Sequence, residues 1–437
     1  MNTLDFLNKL QDKSLGAVRS ALYGLSIKTG YDKEGRIILF PESRGDNVIG
    51  KMNNEANGLV LYNPAWGDGC KQPAVDSKDF DGCKQLANLD GTDHKISCLA
   101  VPMPYLRNSG QMNKQSIVDE WNESTHVYPC REGTNVVIYY FQPKDKWCIA
   151  TAKGIEVNDL RWNGDKTYQE MFVECADNTI GTDTCGEIKT FDEFCKLLDK
   201  ECSYCFGFWH PDFHVFLDQK PTFWVNRIVN NLTFKDVTID CKVKRFDVIQ
   251  ACNFKNSTPE EIMKDLESQV DSSLESYLTD QKSQCLGYMI RGLNNGDVLL
   301  ESKLQKTIND LYYNASYTKS IAATSYDRHN YVLLVNYINE NNELFVEIFS
   351  RFANEYERFA KEIEKLIENL ELLYRRSKQR QKLPITLNKY TKLANEIKKN
   401  IDKLIKVNVD DKLFRMTVTS VLFHPNHFDT LYSLLFN

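Results

Sequence analysis

Two runs, residues 135–141 and 146–151, set the frame for the rest of this chain. Val, Ile, Tyr, Phe and Trp dominate both, and only Gln142-Pro143-Lys144-Asp145 separates them. β-branched and aromatic residues on either side of a short Pro-containing turn predict a β-hairpin. A tight loop, Glu132-Gly133-Thr134, enters this hairpin, and Thr151-Ala152-Lys153-Gly154 leaves it. Loops at both ends of a rigid hairpin are the predicted places to hold a ligand.

The chain is long enough, at 437 residues, for two or three domains. Its 42% hydrophobic content supports a sizeable core and argues against wholesale disorder. A net charge of −6 excludes a uniformly basic nucleic-acid coat and leaves room only for a local basic groove. No apolar run is long enough to span a membrane, and residues 1–22 mix charges into their apolar positions, unlike a signal peptide. The 13 cysteines follow no disulfide-module spacing, which fits free thiols in a reducing, cytoplasmic setting. Cys202 and Cys205, with Cys185 and Cys195 upstream, have irregular spacing and no completing His, so buried thiols are expected there rather than zinc. His210 and His214 flank Pro211; a turn closed by His210 is expected, with no metal role.

Along the chain, residues 3–25 show helical spacing with a break near 14–16, and strands are expected at 36–40, 58–62 and 97–102. Residues 65–93 form a long insertion rich in Gly, Asp, Lys and Asn. Helices are expected near 167–172 and 191–198, with Met171 and Phe172 in the core. Strand-like runs follow at 204–209, 222–229 and 237–249. A helix from 257 to about 278 opens with a capping-type start and an early Pro259. Apolar residues between Leu344 and Tyr374 recur at three and four residues, predicting one amphipathic helix of roughly nine turns. The basic run 375–382, a helix at 387–407 and a closing segment 413–435 complete a helical C-terminal domain. That basic run fits a solvated helix end better than an RNA contact.

Several of these segments carry a resemblance. Cys130-Arg131-Glu132-Gly133-Thr134, the hydrophobic strand after it and Trp147 to Gly154 resemble the nucleophile motif and its sequel in covalent nucleotidyltransferases, above all bacteriophage-type and large-DNA-virus RNA ligases. Their motif is Lys-x-(Asp/Asn/Glu)-Gly-(Ser/Thr). Segments 55–61 and 101–108 stand in the family's order before it, with Asn57 and Tyr105 where the family has arginine and lysine. The segment 204–209 resembles a later family strand that carries a carboxylate, at a position held here by Gly207. The run 285–291 resembles a Glu-Gly-(Tyr/Phe) strand, with Leu286 at the glutamate position. The run 298–306 is the candidate for the strand whose lysines contact the triphosphate, here Lys303 and Lys306, which a solvated helix face explains equally well.

The resemblance implies an α+β fold: an RNA-ligase-like nucleotidyltransferase domain of antiparallel sheets with flanking helices over 1–325, followed by an all-helical domain over 326–437. It places Cys130 at the catalytic lysine position, with Arg131 beside it as a cation to lower its pKa. Arg131, Glu132, Gly133, Lys153, Lys303 and Lys306 become candidate nucleotide-binding residues, with no metal ligand assigned. ATP and Mg2+ are the implied cofactors if the chain is active, and none otherwise. Three readings stay open: a degenerate ligase-like protein that binds RNA, nucleotide or a partner without self-adenylation; an active RNA ligase or capping-type guanylyltransferase; and a structural or assembly protein that reuses the fold. RNA and a protein bound through the helical domain are the candidate partners, and a viral source would place the protein in infected-cell cytoplasm or a virion.

Overall fold

The computed structural model describes residues 14–41, 56–66, 96–104, 106–161, 165–180, 188–214, 216, 220–237, 246–254, 257–280, 285–316, 327–378 and 411–436. The chain divides into two compact units, residues 1–277 with 282–303, and residues 278–281 with 304–437. The architecture is α+β, with three antiparallel-rich sheets in the first unit and helices in the second.

The hairpin is the centre of the first unit. Strand β7 (Thr134–Phe141) pairs antiparallel with β8 (Lys146–Ala150) through a 3-10 turn at Gln142–Lys144, where Asp145 takes the left-handed conformation. β9 (Cys202–Trp209) and β10 (Thr222–Asn230) complete a sheet of order β10-β9-β7-β8. Both faces of β7 are apolar, so both must be covered. Val136 and Ile138 face helices α3 (Tyr168–Ile180) and α4 (Phe191–Cys195). Val137, Tyr139 and Phe141 face a second sheet through Ile38, Val60, Leu99 and Ala100. That sheet has the order β1-β2-β3-β4, from β1 (Ile27–Tyr31), β2 (Arg36–Pro41), β3 (Val60–Tyr62) and β4 (Ser97–Ala100). Helix α1 (Leu15–Tyr23), capped by Ser14, covers its far face with Leu15, Val18 and Leu22. The result is a helix–sheet–sheet–helix stack.

A third sheet, order β5-β12-β11-β6, joins β5 (Arg107–Asn108), β6 (His126–Pro129), β11 (Gly287–Arg291) and β12 (Val298–Glu301). It packs against α2 (Lys114–Asp119) and α5 (Pro259–Asp280). The start of α5 is a capping box: Thr258 N–H donates to Glu261 Oε2 at 2.9 Å, and Glu261 N–H to Thr258 Oγ1 at 3.3 Å.

The second unit contains α6 (Lys303–Ile308, from Leu304), α7 (Arg328–Ile338), α8 (Asn342–Ile348), α9 (Ala353–Lys378), α10 (Asp411–Leu422) and α11 (Phe428–Phe436). The single helix expected across 344–374 is two. Phe349 leaves helical geometry (φ −108°, ψ 56°) and a 3-10 turn, Ser350–Phe352, precedes α9. The break turns Phe349 inward against Phe345 (5.0 Å) and Tyr312 (5.6 Å), a gain that helical periodicity cannot register. Of the strand expected at 237–249, residues 238–245 lie outside the described residues; at its described end Val248 bridges Val225. The insertion beyond Trp66, Cys185, Trp162, Tyr105, the basic residues from 379 and the 387–407 helix lie outside the described residues.

Phe172 on α3 is the hub of the main core. It is fully buried, with Phe191, Phe194, Phe206, Phe208 and Phe223 at centroid distances of 5.0–6.5 Å. Phe172→Ala should cost about 3–5 kcal/mol by transfer and cavity terms, read as a lowered denaturation midpoint in urea with an unchanged slope.

Candidate functional site

The register corrects one expectation at once. Val137 lies opposite Ala150, and the Gln142–Lys144 turn closes the far end. The entry loop at 132–134 and the exit loop at 151–154 therefore both leave from the open end of the hairpin, not from opposite ends.

At that end Trp224 decides the geometry. It faces Gly207 across the β10–β9 pair, and Thr134 faces Phe208 across β7–β9. A Cβ on Gly207 would stand 2.3 Å from the Trp224 ring, and one on Gly133 would stand 2.4 Å from it. Only glycine allows the indole to lie this close to two backbones. Trp224 is buried with Trp209 and Ile249, with Tyr128 against them. Arg131 covers the ring with its guanidinium 5.7 Å from the centroid, and pairs with Asp247. Glu132 accepts from Trp209 Nε1 at 3.2 Å. So Arg131, Glu132 and Gly133 do converge, around tryptophans that sequence reasoning missed. The available signal was a glycine inside an otherwise apolar strand, which marks close approach.

Cys130 extends the β6–β11 pairing, its N–H donating to Gly287 O at 2.9 Å. Gly287 needs to be glycine, with φ +131° and a Cβ position 2.3 Å from Leu300 O. Burial, reinforced by Cys285 and Glu301, pushes the Cys130 thiol up to about 12. The expectation that Arg131 would depress it is overturned, because that guanidinium is spent on Asp247 and Trp224. Lys303 and Lys306 lie on helix α6, since β12 ends at Glu301; of the two readings the sequence left open for them, a strand and a solvated helix face, the helix is the one found. Lys303 pairs with Asp271 at 3.9 Å. Lys153 lines a groove with Arg36 and Glu156. Cys202 and Cys205 point to opposite faces of β9, one towards the α3 core and one towards the second sheet.

A buried relay runs beside Trp209. His210 Nδ1 accepts from Asp212 N–H at 3.1 Å, so its Nε2 carries the proton towards Glu174 Oε2, 2.9 Å away. His214 Nδ1 accepts from His210 N–H at 3.0 Å, which leaves Nε2 to donate to Thr134 Oγ1 at 3.1 Å. Here His210 closes the turn at Pro211, as expected from sequence. Burial lowers the His214 pKa to about 4.

No family model matches the chain. Sequence comparison finds a protein named "Putative RNA-ligase" in African swine fever virus, isolate Tick/Malawi/Lil 20-1/1983, 28% identical over 145 residues, 32% of each chain. The same-named protein of isolate Tick/South Africa/Pretoriuskop Pr4/1996 is 27% identical over 147 residues, again 32% of each. Over that third of its length the chain is similar to proteins named "Putative RNA-ligase". The match spans about a third of the relatives' length. Among solved structures, two forms of an archaeal ATP-dependent RNA ligase are similar at TM-scores of 0.41, with 9% and 11% identity, covering 84% and 80% of this chain and 82% and 80% of theirs.

The two carboxylate positions that the resemblance calls for beside ATP and Mg2+ do not fit that role: Leu286 offers no side-chain oxygen, and Gly207 has no side chain and lies under Trp224. Among the described residues no cluster of His, Cys, Asp or Glu could hold a metal ion, and no helix is long and apolar enough to cross a membrane.

Two outcomes are expected. Gly207→Ala should destabilise the fold by about 1–3 kcal/mol through overlap with the indole; an unchanged midpoint would mean that Trp224 is not clamped there. His214 is neutral in the folded state until about pH 4, whereas an unfolded His protonates near 6.5. Stability should therefore fall as pH drops from about 6.5 to 4, by roughly 3 kcal/mol at about 1.4 kcal/mol per pH unit. Urea titrations at several pH values on the parent and His214→Gln check this, the variant losing that part of the slope.

Proposed function

We propose that this protein binds RNA through a ligase-like scaffold and does not take a nucleotide onto itself. One observation carries the reading: the residue at the position of the family's nucleophilic lysine is Cys130, a thiol pushed up to about 12. Attack on an α-phosphate needs the thiolate. A thiol held that high stays protonated near neutral pH. The neighbours agree with this. Negative Glu301 opposes thiolate formation, and it would oppose an incoming triphosphate as well. The indole over Gly133 and Gly207 occupies the space in which side chains from those positions would stand.

RNA enters the reading through the relatives, whose name is "Putative RNA-ligase". Binding without covalent chemistry would make this chain a holder or presenter of RNA ends rather than a sealing enzyme. ATP and Mg2+ have no step in it.

Intact-mass spectrometry after incubation with ATP or GTP and Mg2+ or Mn2+ tests the chemistry. The expected result is an unchanged mass, alongside salt-sensitive binding of single-stranded RNA in anisotropy. A stable nucleotide adduct mapped to any peptide overturns the reading and identifies an active enzyme.

A further inference from the structure

We propose that the groove beside the hairpin's exit loop is a docking site for a protein partner, and that it takes one arginine side chain from an extended segment of that partner. The guanidinium would lie against Tyr31 and pair with Asp159, and an apolar neighbour in the segment would cover Leu160. This goes beyond the RNA-binding reading above and does not depend on it.

Residues of β1 and β2, the turn between them and the loop after β8 line the groove, which encloses about 530 Å3, within the range of small-ligand sites. Gly30 lies opposite Ile38 in the β1–β2 register, and a Cβ on Gly30 would stand 3.0 Å from Ile38 Cγ2. The missing side chain leaves Ile38 uncovered at the groove wall.

The charges at the floor have one sign in excess. Arg36, only 4% exposed, meets three carboxylates: Nε donates to Asp32 at 2.6 Å, and Nη2 lies 3.0 Å from Glu34 and 2.8 Å from Glu156. Lys146 pairs with the same Glu156, at 2.9 and 3.0 Å. Two cations against three carboxylates leave one negative charge. Lys153 and Asp159 also line the groove, cancel each other in the sum, and make no ion pair with a described residue. One added cation therefore neutralises the site. Acceptors are in excess as well: Glu34 Oε2 is out of water and has no hydrogen bond, its approach to Arg36 being one of charge alone.

The rim says which cation. Tyr31 is 61% exposed and Leu160 is 55% exposed, so two large apolar side chains stand in water at one groove. Arg19 of α1 already lies 5.1 Å from the Tyr31 ring centroid, so this ring accepts a guanidinium. An aromatic ring and an unpaired carboxylate at one rim suit a planar cation that stacks and pairs at once, which favours arginine over lysine. Leu160 favours a peptide over a free polyamine, which brings no apolar side chain to cover it. The excess of negative charge opposes a nucleic-acid backbone here.

The test uses the full chain and a fluorescent pentapeptide, Gly-Leu-Arg-Leu-Gly, blocked at both ends, with counterparts carrying citrulline, lysine or glutamate in place of arginine. Anisotropy gives the affinity, and benzoylphenylalanine in place of one leucine maps the site by photocrosslinking. The arginine peptide should bind about tenfold tighter than the citrulline peptide and crosslink to peptides containing residues 30–38 or 153–160. Asp159→Asn should weaken it about tenfold and Tyr31→Ala roughly threefold, whereas Lys153→Glu should tighten it. These three residues are exposed, so the variants should fold, and near-ultraviolet circular dichroism checks this. The proposal is overturned by equal binding of the arginine and citrulline peptides, by no binding up to the solubility limit, or by crosslinks confined to other segments. A lysine peptide that binds as tightly removes the arginine assignment. Spermidine displacing the peptide with the same Asp159 sensitivity, and no effect of Tyr31→Ala or of the leucines, makes the ligand a free polyamine and the docking assignment fails. Preference for the glutamate peptide, or displacement by single-stranded RNA that depends on Tyr31, makes the occupant an anion and overturns it equally.

Discussion

Everything in the first unit depends on a strand with no polar face. β7 buries Val136 and Ile138 on one side and Val137, Tyr139 and Phe141 on the other. A strand of that kind cannot lie on a surface and cannot slip by one residue without exchanging two apolar sets of different shape. It recruits a helical layer around Phe172 on one face and a second sheet on the other. Once both are in place, the hairpin register is fixed, and so are the positions at its open end. The loops at 130–134 and 151–154 inherit that rigidity without contributing to it.

The open end shows how a site can be rebuilt on such a frame. The resemblance calls for a lysine and carboxylates, groups that must be held close together and partly out of water. Such arrangements are costly, because each charge needs a matched partner. At these positions the chain instead has Cys130, Gly207 and Leu286, with Trp224 packed over two glycines. Leu286 is buried in the apolar core, and Gly207 makes room for the Trp224 indole, so packing rather than charge holds this end of the sheet. Ion-matched groups in this unit lie elsewhere, among them Arg36 with Asp32 and Glu156, Arg107 with Glu120, and His210 with Glu174.

The hairpin, the strands at 36–40, 204–209 and 222–229 and the core placing of Met171 and Phe172 were legible because local composition and periodicity decide them. The misses share a different cause. The helix at 344–374 breaks because Phe349 is drawn to Phe345 and Tyr312, and a three-dimensional attraction of that kind leaves no trace in spacing. Of the two readings open for Lys303 and Lys306, the helix holds because β12 stops at Glu301, a boundary that a run of Leu and Glu does not announce. Around Trp224, the neighbours adjacent in sequence, Arg131, Glu132 and Gly133, are among the residues that the sequence singled out, whereas the residues brought in from other strands are not. Trp224, roughly ninety residues away, was visible only as the reason why Gly207 carries no side chain.

The two ends of this argument meet in the contrast between Cys130 and Lys153. Both leave the same open end of the hairpin, so both are held by the same core. Cys130 is drawn inward by the β6–β11 pairing, next to Glu301 and Cys285, and loses its ionisation to burial. Lys153 is turned outward by a tight loop in which Thr151 N–H donates to Gly154 O at 3.0 Å, and it stays exposed at the rim of a groove. A half-buried thiol with a raised pKa contributes to packing at this end of the sheet. The frame therefore sets a half-buried thiol and an exposed ammonium at the same end of one hairpin, the first on the loop that enters it and the second on the loop that leaves it.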